Sequence, residues 1–336
     1  MNIFNSKKIR ISKLFNRLFY YLNKIDRKEF ITIHARPFDA SSYFNINKYK
    51  YNKEIAFLIQ GPVGDLSFLI ETIKLYRIMF PNIPIFVSTW DDINIDSRVK
   101  IEELADKVVI SEKPNLSGVL NVNYQIVSTS NGLKEIRDNS GAYYVIKTRV
   151  DQRICNSNVF KYLEALLEEY PSKIKQQKER IALVNINTSK YRPYSFSDMF
   201  QFGHIDDLTD YWSCKLDVRE TSIDSIKSNN NYTMKFCAEN YITESYMGRK
   251  YIEFLGLNYE NSLITYWQCI RDQFIVIDHT TLDLYWNKYS AYEYKISHAP
   301  VYDENRNFEK ISFADWYLMQ KGVELVDDGY FEKTIA

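Results

Sequence analysis

The chain of 336 residues carries 43 acidic and 43 basic side chains and a hydrophobic share of 45%. This balance is typical of a globular protein that buries a substantial core, and it gives no support to a general nucleic-acid-binding surface. Four cysteines lie far apart without a Cys-x-x-Cys pair, which argues against a zinc knuckle or a disulfide framework and favours a reducing compartment.

The positive charge is concentrated at the front of the chain. Residues 1–30 hold eight Lys or Arg against two acidic residues, a net charge of +6, so the remainder carries −6. Between residues 4 and 25 apolar side chains recur at helical spacing with basic side chains between them. We predict a basic amphipathic helix over 1–30 that makes peripheral contact with an anionic membrane, with docking on the globular domain or a partner as the alternative.

Residues 31–53 are predicted to form an irregular connector. No apolar run approaches the ~20 residues that cross a bilayer, and no signal-sequence pattern follows the basic start. We therefore predict a cytoplasmic protein that is peripheral at the inner face of the cytoplasmic membrane.

Strands and helices alternate from residue 54 onward. The apolar patterns predict strands at 55–60, 85–90, 107–110, 143–146 and 181–184, and helices at 66–78, 96–105, 123–138 and 158–170. Asp65 is a plausible N-cap of the first helix. The alternation predicts an α/β fold, a Rossmann-like αβα sandwich with a mostly parallel sheet, over residues 54–186.

The second half, 187–336, is predicted to be a smaller acceptor-binding and lid region. Its segment 191–203 mixes aromatic and polar residues, which favours either the wall of a site or a packed surface loop. Residues 219–232 are polar and predict an exposed loop. The residues 238–241 are predicted to begin a helix that runs to about residue 252.

A change of character in one strand marks the candidate site. After the buried run 143–146, charges occupy alternate positions at Lys147, Arg149, Asp151 and Arg153. Alternation by two places side chains on one face of an extended segment, so the pattern predicts a pocket for a polyanion. The alternative is a solvated edge strand with cross-strand ion pairs.

Two other strand ends are predicted to meet the same edge of the sheet. Gln60, Gly61 and Pro62 lie between a strand and a helix, where backbone amides and a helix N-terminus bind anions, although a plain tight turn explains them equally well. The loop lacks both the Gly-x-Gly-x-x-Gly pattern and the Lys-Ser/Thr of a P-loop.

The second strand ends at Thr89, Trp90 and Asp91. Trp90 is suited to stack on a base or sugar, and Asp91 to bind ribose hydroxyls. A capping Asp beside a half-buried Trp is the alternative.

Several separated motifs together resemble the WavE family of lipopolysaccharide-synthesis proteins. In order they are Ile59-Gln60-Gly61-Pro62-Val63, Phe80-Pro81 followed by Val87-Ser88-Thr89-Trp90, Lys147-Thr148-Arg149-Val150-Asp151-Gln152-Arg153, Ser197-Asp198-Met199-Phe200-Gln201-Phe202-Gly203 and Ala238-Glu239-Asn240-Tyr241. The resemblance covers roughly residues 54–300. It implies a bacterial glycosyltransferase with a GT-A type fold, a nucleotide-sugar donor and a glycan or glycolipid acceptor of the lipopolysaccharide core, O-antigen or capsule.

The resemblance also suggests a metal site. GT-A enzymes hold a divalent ion, Mn²⁺ or Mg²⁺, with an Asp-x-Asp motif, and only Asp151 matches it here; His298 is a candidate second ligand. The incomplete motif leaves metal-independent chemistry open, with Lys147, Arg149 and Arg153 neutralising the diphosphate.

An inverting transferase needs a general base, for which Asp198 and Glu239 are the candidates. The rival functions are a sugar-1-phosphate nucleotidyltransferase and a non-catalytic glycan-binding or assembly protein.

Overall fold

The computed structural model describes residues 36–42, 53–219, 233–241, 244–288 and 309–333, together with seven residues between 13 and 24. The chain forms two compact units, 1–38 and 39–336. The seven described residues between 13 and 24 are helical and exposed: Lys13, Leu14, Arg17, Leu18, Tyr20, Tyr21 and Lys24. The other residues of the helix predicted over 1–30 lie outside the described residues. The structure describes residues 36–42 and 53 of the predicted connector 31–53. Of the predicted exposed loop 219–232 it describes residue 219 alone, and the remainder of both segments lies outside the described residues.

The second unit is built on a seven-stranded sheet with a small second sheet beside it. The strands in chain order are β1 (Ile55–Gln60), β2 (Ile85–Trp90), β3 (Lys107–Ser111), β4 (Tyr144–Arg149), β5 (Gln152–Ile154), β6 (Ile181–Val184), β7 (Gln201–His204), β8 (Phe274–Ile277) and β9 (Leu284–Trp286). The large sheet has the order β3-β2-β1-β4-β7-β6-β8, and β5 pairs with β9. Only β7 runs antiparallel in the large sheet, so the predicted α/β fold with a mostly parallel sheet is confirmed.

Helices connect and cover these strands. They are α1 (Leu66–Met79), α2 (Ile95–Glu102), α3 (Val122–Asn139), α4 (Val159–Glu169), α5 (Ile205–Trp212), α6 (Met234–Glu239), α7 (Glu244–Phe254), α8 (Leu263–Gln273), α9 (His279–Leu282) and α10 (Phe313–Gln320). Asp65 caps α1 as predicted, because its Oδ1 accepts a hydrogen bond of 3.0 Å from Phe68 N. No helix within the described ranges has both the length and the apolar character to cross a membrane.

The core packs α3 against the middle of the sheet. Every residue of β1 and β2 is buried, as expected for strands covered on both faces. A Cβ at Gly132 would collide with Leu58, so the glycine lets α3 approach β1 closely. Ser128 of α3 accepts a hydrogen bond of 2.6 Å from the side chain of Gln60 and, through its carbonyl oxygen, one of 2.6 Å from Ser88.

The strand order creates a switch point between β1 and β4. From β1 the chain moves outward to β2 and β3, then returns to the other side of β1 for β4. In open α/β sheets a crevice forms beyond the carboxyl ends of the two strands at such a point, and ligands bind there. The fold therefore singles out the loops that follow β1 and β4.

Three predictions about the second half need correction. Residues 201–204 form β7 in the middle of the sheet, and Tyr191, Tyr194 and Phe196 are fully buried, so these rings pack the core and form no open wall. The predicted boundary after residue 186 falls inside one sheet, because β7 and β8 belong to the same sheet as β1.

The helix predicted from 238 to about 252 is two helices, because α6 ends at Glu239 and α7 covers most of the predicted span. Thr233 caps α6 by accepting a hydrogen bond of 3.0 Å from Phe236 N, so the helix begins earlier than predicted. Tyr241 then adopts a left-handed conformation with φ of 52°, which separates α6 from α7, the helix that begins at Glu244.

Candidate active site

A cavity of about 550 Å³ lies at the carboxyl edge of the sheet, at the switch point between β1 and β4. We call it the switch-point cavity. It is lined by the loop after β1, the ends of β2 and β4, the start of α3 and the turn after β9: Gln60, Gly61, Pro62, Gly64, Asp65, Trp90, Leu120, Asn121, Tyr124, Gln125, Arg149, Val150, Asp151, Asn287 and Lys288. The location is the one that the strand order predicts for a ligand.

The loop after β1 is fixed by backbone contacts on both sides. Gly61 N donates to the carbonyl oxygen of Ser88 at 3.0 Å, and Val150 N donates to the carbonyl oxygen of Gln60 at 3.1 Å. Gly61 has φ of +134°, and a Cβ there would lie 3.2 Å from Val150 Cγ2. Only glycine suits this conformation and this close approach. The loop leads directly into the N-terminus of α1, whose dipole favours a bound anion.

Arg149 and Asp151 form a bidentate pair on the cavity wall. Nε of Arg149 donates to Oδ1 of Asp151 at 3.0 Å, and Nη2 donates to Oδ2 at 3.0 Å. Trp286 Nε1 adds a hydrogen bond of 3.1 Å to Oδ2. Burial raises the pKa of Asp151, but the hydrogen bonds and charge of Arg149 outweigh burial, and the pKa lies below its usual range. Asp151 is therefore ionised at neutral pH.

The described residues are poorly suited to hold a divalent ion on their own. Among them no group of three or more His, Cys, Asp or Glu side chains could hold a metal. Two carboxylates line the switch-point cavity, and each of their four oxygens already accepts a hydrogen bond: those of Asp65 from Phe68 N and Asn287, and those of Asp151 from Arg149 and Trp286. His298, the other predicted ligand, lies outside the described residues.

A buried charged cluster lies behind the end of β4. Lys147, fully buried, donates to the backbone carbonyl of Asp198 and lies 4.7 Å from the ring centre of Trp212. The Asp198 side chain is 2% exposed, and no described residue donates a hydrogen bond to its carboxylate. Glu244, at the start of α7, pairs with Arg192 at 3.1 Å. Burial raises the pKa of Glu244, Arg192 opposes the rise, and the nearby Asp198 adds to it.

Most of the chain matches the model of one protein family. The family model described as WavE lipopolysaccharide synthesis matches residues 55–317, which include both strands at the switch point. The chain belongs to the WavE family. No curated protein matches the sequence.

Solved structures that are similar to the WavE chain are distant in sequence. One is 4-diphosphocytidyl-2C-methyl-D-erythritol synthase from Anaerococcus prevotii DSM 20548, with 9% identity and a TM-score of 0.40, over 74% of this chain and 95% of that chain. Another is HddC from Yersinia pseudotuberculosis, with 13% identity and a TM-score of 0.31, over 53% of this chain and 87% of that chain.

We predicted that the four charged side chains from Lys147 to Arg153 share one face of an extended segment of the WavE chain. This prediction is wrong. β4 ends at Arg149, the chain turns at Val150 and Asp151, and β5 joins the other sheet. Arg149 and Asp151 line the cavity, whereas Lys147 points into the core and Arg153, 2% exposed, donates to Thr72 Oγ1 at 3.0 Å. The strand pattern does not continue through the turn, so the four charges face different environments.

The remaining predicted residues divide in the same way. Gln60, Gly61, Pro62 and Trp90 line the switch-point cavity. Thr89 is buried beneath it and Asp91 is exposed outside it.

Glu239 is exposed at the end of α6. Glu244 was not among the predicted site residues. Its one sequence signal is an acidic residue in the first turn of a helix, which favourable interaction with the helix dipole explains as well. The prediction also omitted Asn121, Tyr124 and Gln125, whose place on the cavity wall depends on where α3 begins.

Proposed function

We propose that the chain is a glycosyltransferase with a GT-A type fold. It moves a sugar from a nucleotide-sugar donor to a growing surface glycan of the lipopolysaccharide core, O-antigen or capsule, at the cytoplasmic face of the membrane. The observation that carries the proposal is the switch-point cavity, where a helix N-terminus and Arg149 meet in a member of a lipopolysaccharide-synthesis family.

The donor diphosphate binds between the loop after β1 and Arg149. Gln60, Gly61 and Pro62 bring their backbone and the N-terminus of α1 to one side of the cavity. In the structure the guanidinium of Arg149 donates its hydrogen bonds to Asp151. When the donor binds, the guanidinium donates to the phosphate oxygens instead. Its positive charge then stabilises the negative charge that develops on the leaving diphosphate as the bond to the sugar breaks.

Asp198 is our candidate for the general base, and this role requires the acceptor to reach a carboxylate that is 2% exposed and does not line the switch-point cavity. In an inverting transfer the acceptor hydroxyl attacks the anomeric carbon, its proton passes to the base, and the bond to the diphosphate oxygen breaks. The carboxylate of Asp198 accepts no hydrogen bond from a described residue, whereas Glu244 is held by Arg192. Glu239 is the weaker candidate, because it lies on the exposed end of α6.

In this proposal Arg149 neutralises the donor diphosphate, a task that a divalent metal ion performs in other GT-A type enzymes. All four carboxylate oxygens at the cavity are already bonded, so we propose donor binding without a resident ion. Mn²⁺ and Mg²⁺ remain the alternative, and they would have to enter together with the phosphates and displace Arg149 from Asp151.

The N-terminal helix is proposed to hold the enzyme at the membrane. Leu14 and Leu18 are 68% and 49% exposed, and the exposed Lys13 and Arg17 lie beside them. Exposed apolar and basic residues side by side on a helix are typical of binding to anionic lipid. We expect sedimentation with phosphatidylserine vesicles but not with phosphatidylcholine vesicles, and loss of sedimentation in the double variant Leu14→Asp and Leu18→Asp. Retention by that variant would contradict this part of the proposal.

The function is tested by the melting temperature of the purified chain with UDP, GDP, CDP, CMP and dTDP, each with and without Mn²⁺. A ligand that binds only the native state raises the melting temperature. We expect one nucleotide to do so without Mn²⁺, and the rise to be absent in Arg149→Gln. A rise that requires Mn²⁺ would restore Asp151 as a metal ligand. No rise with any nucleotide would favour a non-catalytic binding protein.

A further inference from the structure

The switch-point cavity has two chemically different ends. Among the described residues, its charged side chains are Asp65, Arg149, Asp151 and Lys288, which come from the loop before α1, the end of β4 and the turn after β9. The opposite end is formed by the end of β2 and the start of α3. Its side chains are uncharged, two of them aromatic, two amides and one aliphatic: Trp90, Tyr124, Asn121, Gln125 and Leu120. A ligand that fills the cavity therefore needs a charged part and an uncharged, planar part.

The distance between the two ends matches a nucleoside diphosphate. β2, β1 and β4 are consecutive neighbours in the sheet. Neighbouring strands lie ~4.8 Å apart, so the ends of β2 and β4 are about 10 Å apart across the cavity. Diphosphate beside Arg149 therefore places the base of the same molecule near Trp90.

An unusual backbone conformation shapes the uncharged end. Leu120 and Asn121 both adopt the left-handed conformation, with φ of 57° and 63°, immediately before α3. Such conformations are rare for residues with a Cβ and cluster at functional sites. The turn is held by Asn123, whose Nδ2 donates to the carbonyl oxygens of Leu116 at 3.0 Å and Asp217 at 2.7 Å. Because α3 begins here, Asn121 and Gln125 lie one helical turn apart on its cavity side.

Gln125 presents an unsatisfied acceptor at this end. Its Oε1 is buried and accepts no hydrogen bond from the part of the chain that the structure describes. A buried acceptor without a partner is costly, and its presence at a cavity points to a ligand that supplies the donor. Beside it, Tyr124 is half-buried and packs edge-to-face on Trp90, with ring centres 5.6 Å apart. The contact with Trp90 holds the Tyr124 ring in place as a surface for a planar ligand.

We propose that Trp90, Asn121, Tyr124 and Gln125 form a base subsite that selects the nucleobase of the donor. The base lies against the ring of Tyr124, and an N–H on its hydrogen-bonding edge donates to Oε1 of Gln125. The carboxamide of Asn121 reads a neighbouring position. This inference rests on the proposed nucleotide-sugar donor, and it adds which residues determine the base.

The test is calorimetric titration of the wild type and Gln125→Met with UDP, CDP, GDP, ADP and inorganic pyrophosphate. Methionine keeps the length of glutamine but has no strong acceptor. We expect the wild type to prefer one base, and Gln125→Met to bind that nucleotide at least tenfold more weakly, with its pyrophosphate affinity changed less than twofold. Gln268→Leu removes an exposed glutamine on α8 and should behave as the wild type. Gln125→Leu serves as the second variant if Gln125→Met does not fold.

Three results would overturn the base subsite. Unchanged nucleotide affinity in Gln125→Met would show that the acceptor is not used. An equal loss for all four nucleotides would show that Gln125 binds the ribose. A parallel loss of pyrophosphate affinity would show that Gln125 only maintains the cavity.

The base subsite and the proposed function can fail separately. A base preference that depends on Gln125, without turnover of any nucleotide sugar, would keep the subsite and remove the transferase function. Binding of neither nucleotides nor pyrophosphate would remove both.

Discussion

Arg149 is expected to supply most of the affinity of the switch-point cavity for a diphosphate. Among the described lining residues, Arg149→Gln leaves Lys288 as the one cation beside Asp65 and Asp151, so their formal charge changes from zero to −1. The lost guanidinium would make two charge-assisted hydrogen bonds, each worth roughly 1.5–3 kcal/mol. We take about 3 kcal/mol in total, because the Arg149 side chain is 24% exposed and water weakens the contact. At about 1.4 kcal/mol for each factor of ten, the dissociation constant should rise roughly 100-fold.

The assay is calorimetric titration with pyrophosphate and with the preferred nucleoside diphosphate. The matched control is Arg98→Gln, which removes the same charge from the exposed face of α2, where Arg98 pairs with Glu102 at 2.7 Å. The partner left behind by Arg149 is part-buried, so Arg149→Gln should also lower the free energy of unfolding by roughly 1–3 kcal/mol. Titrations are therefore run well below its melting temperature. A dissociation constant within threefold of wild type, or an equal rise in Arg98→Gln, would refute the role of Arg149.

The remaining predictions concern the loop after β1, the buried lysine and the base. Gly61→Ala should lower the free energy of unfolding by ~1–3 kcal/mol, because Gly61 has φ of +134° and a Cβ there would press on Val150. The control is Gly64→Ala, whose Cβ would lie in open space, and it should lower the free energy of unfolding by less than ~0.5 kcal/mol. Both values are measured by urea unfolding. Burial lowers the pKa of Lys147 to about 8, below the ~10.4 of the unfolded chain, so the unfolded state binds more protons between these values. The stability of wild type relative to Lys147→Met should therefore rise by up to ~3 kcal/mol from pH 8 to pH 10, and a flat difference would contradict this. Asp198→Asn should lower kcat by a factor of ~100 or more with little change in the donor KM, and wild-type kcat would exclude Asp198 as the base.

The part of the fold that the sequence could predict is the part with local signals. β1 and β2 have the predicted bounds because each is a continuous apolar run of strand length between turn residues. Asp65 was recognisable as a cap because capping depends on residues three positions apart. The glycine loop and the end of β4 were placed at one edge because parallel strands end at the same edge of a sheet.

The features that the sequence did not predict depend on contacts between residues that are distant in the chain. β7 has four residues and begins with the polar Gln201. Its buried amide is satisfied because Oε1 accepts a hydrogen bond of 2.6 Å from Trp212 Nε1 and Nε2 donates one of 3.1 Å to the carbonyl oxygen of Ser197. The alternating charges after β4 resembled one strand, yet the chain turns at Val150, where Val150 N donates to the carbonyl oxygen of Gln60 at 3.1 Å. The acceptor on Gln125 became visible only once the start of α3 was known. Residues that act through tertiary neighbours leave little trace in a single sequence.

The central claim is transfer of a sugar from a nucleotide sugar, and ³¹P NMR tests it most directly. The chain is incubated with nucleotide sugars of the base that it binds and with alkyl glycosides as acceptors. We expect the two phosphorus signals of the donor to be replaced by those of a nucleoside diphosphate with wild type and with Arg98→Gln, whose position on α2 lies outside the cavity, but not with Asp198→Asn. Pyrophosphate formed instead from a nucleoside triphosphate and a sugar 1-phosphate would identify a nucleotidyltransferase and contradict the account.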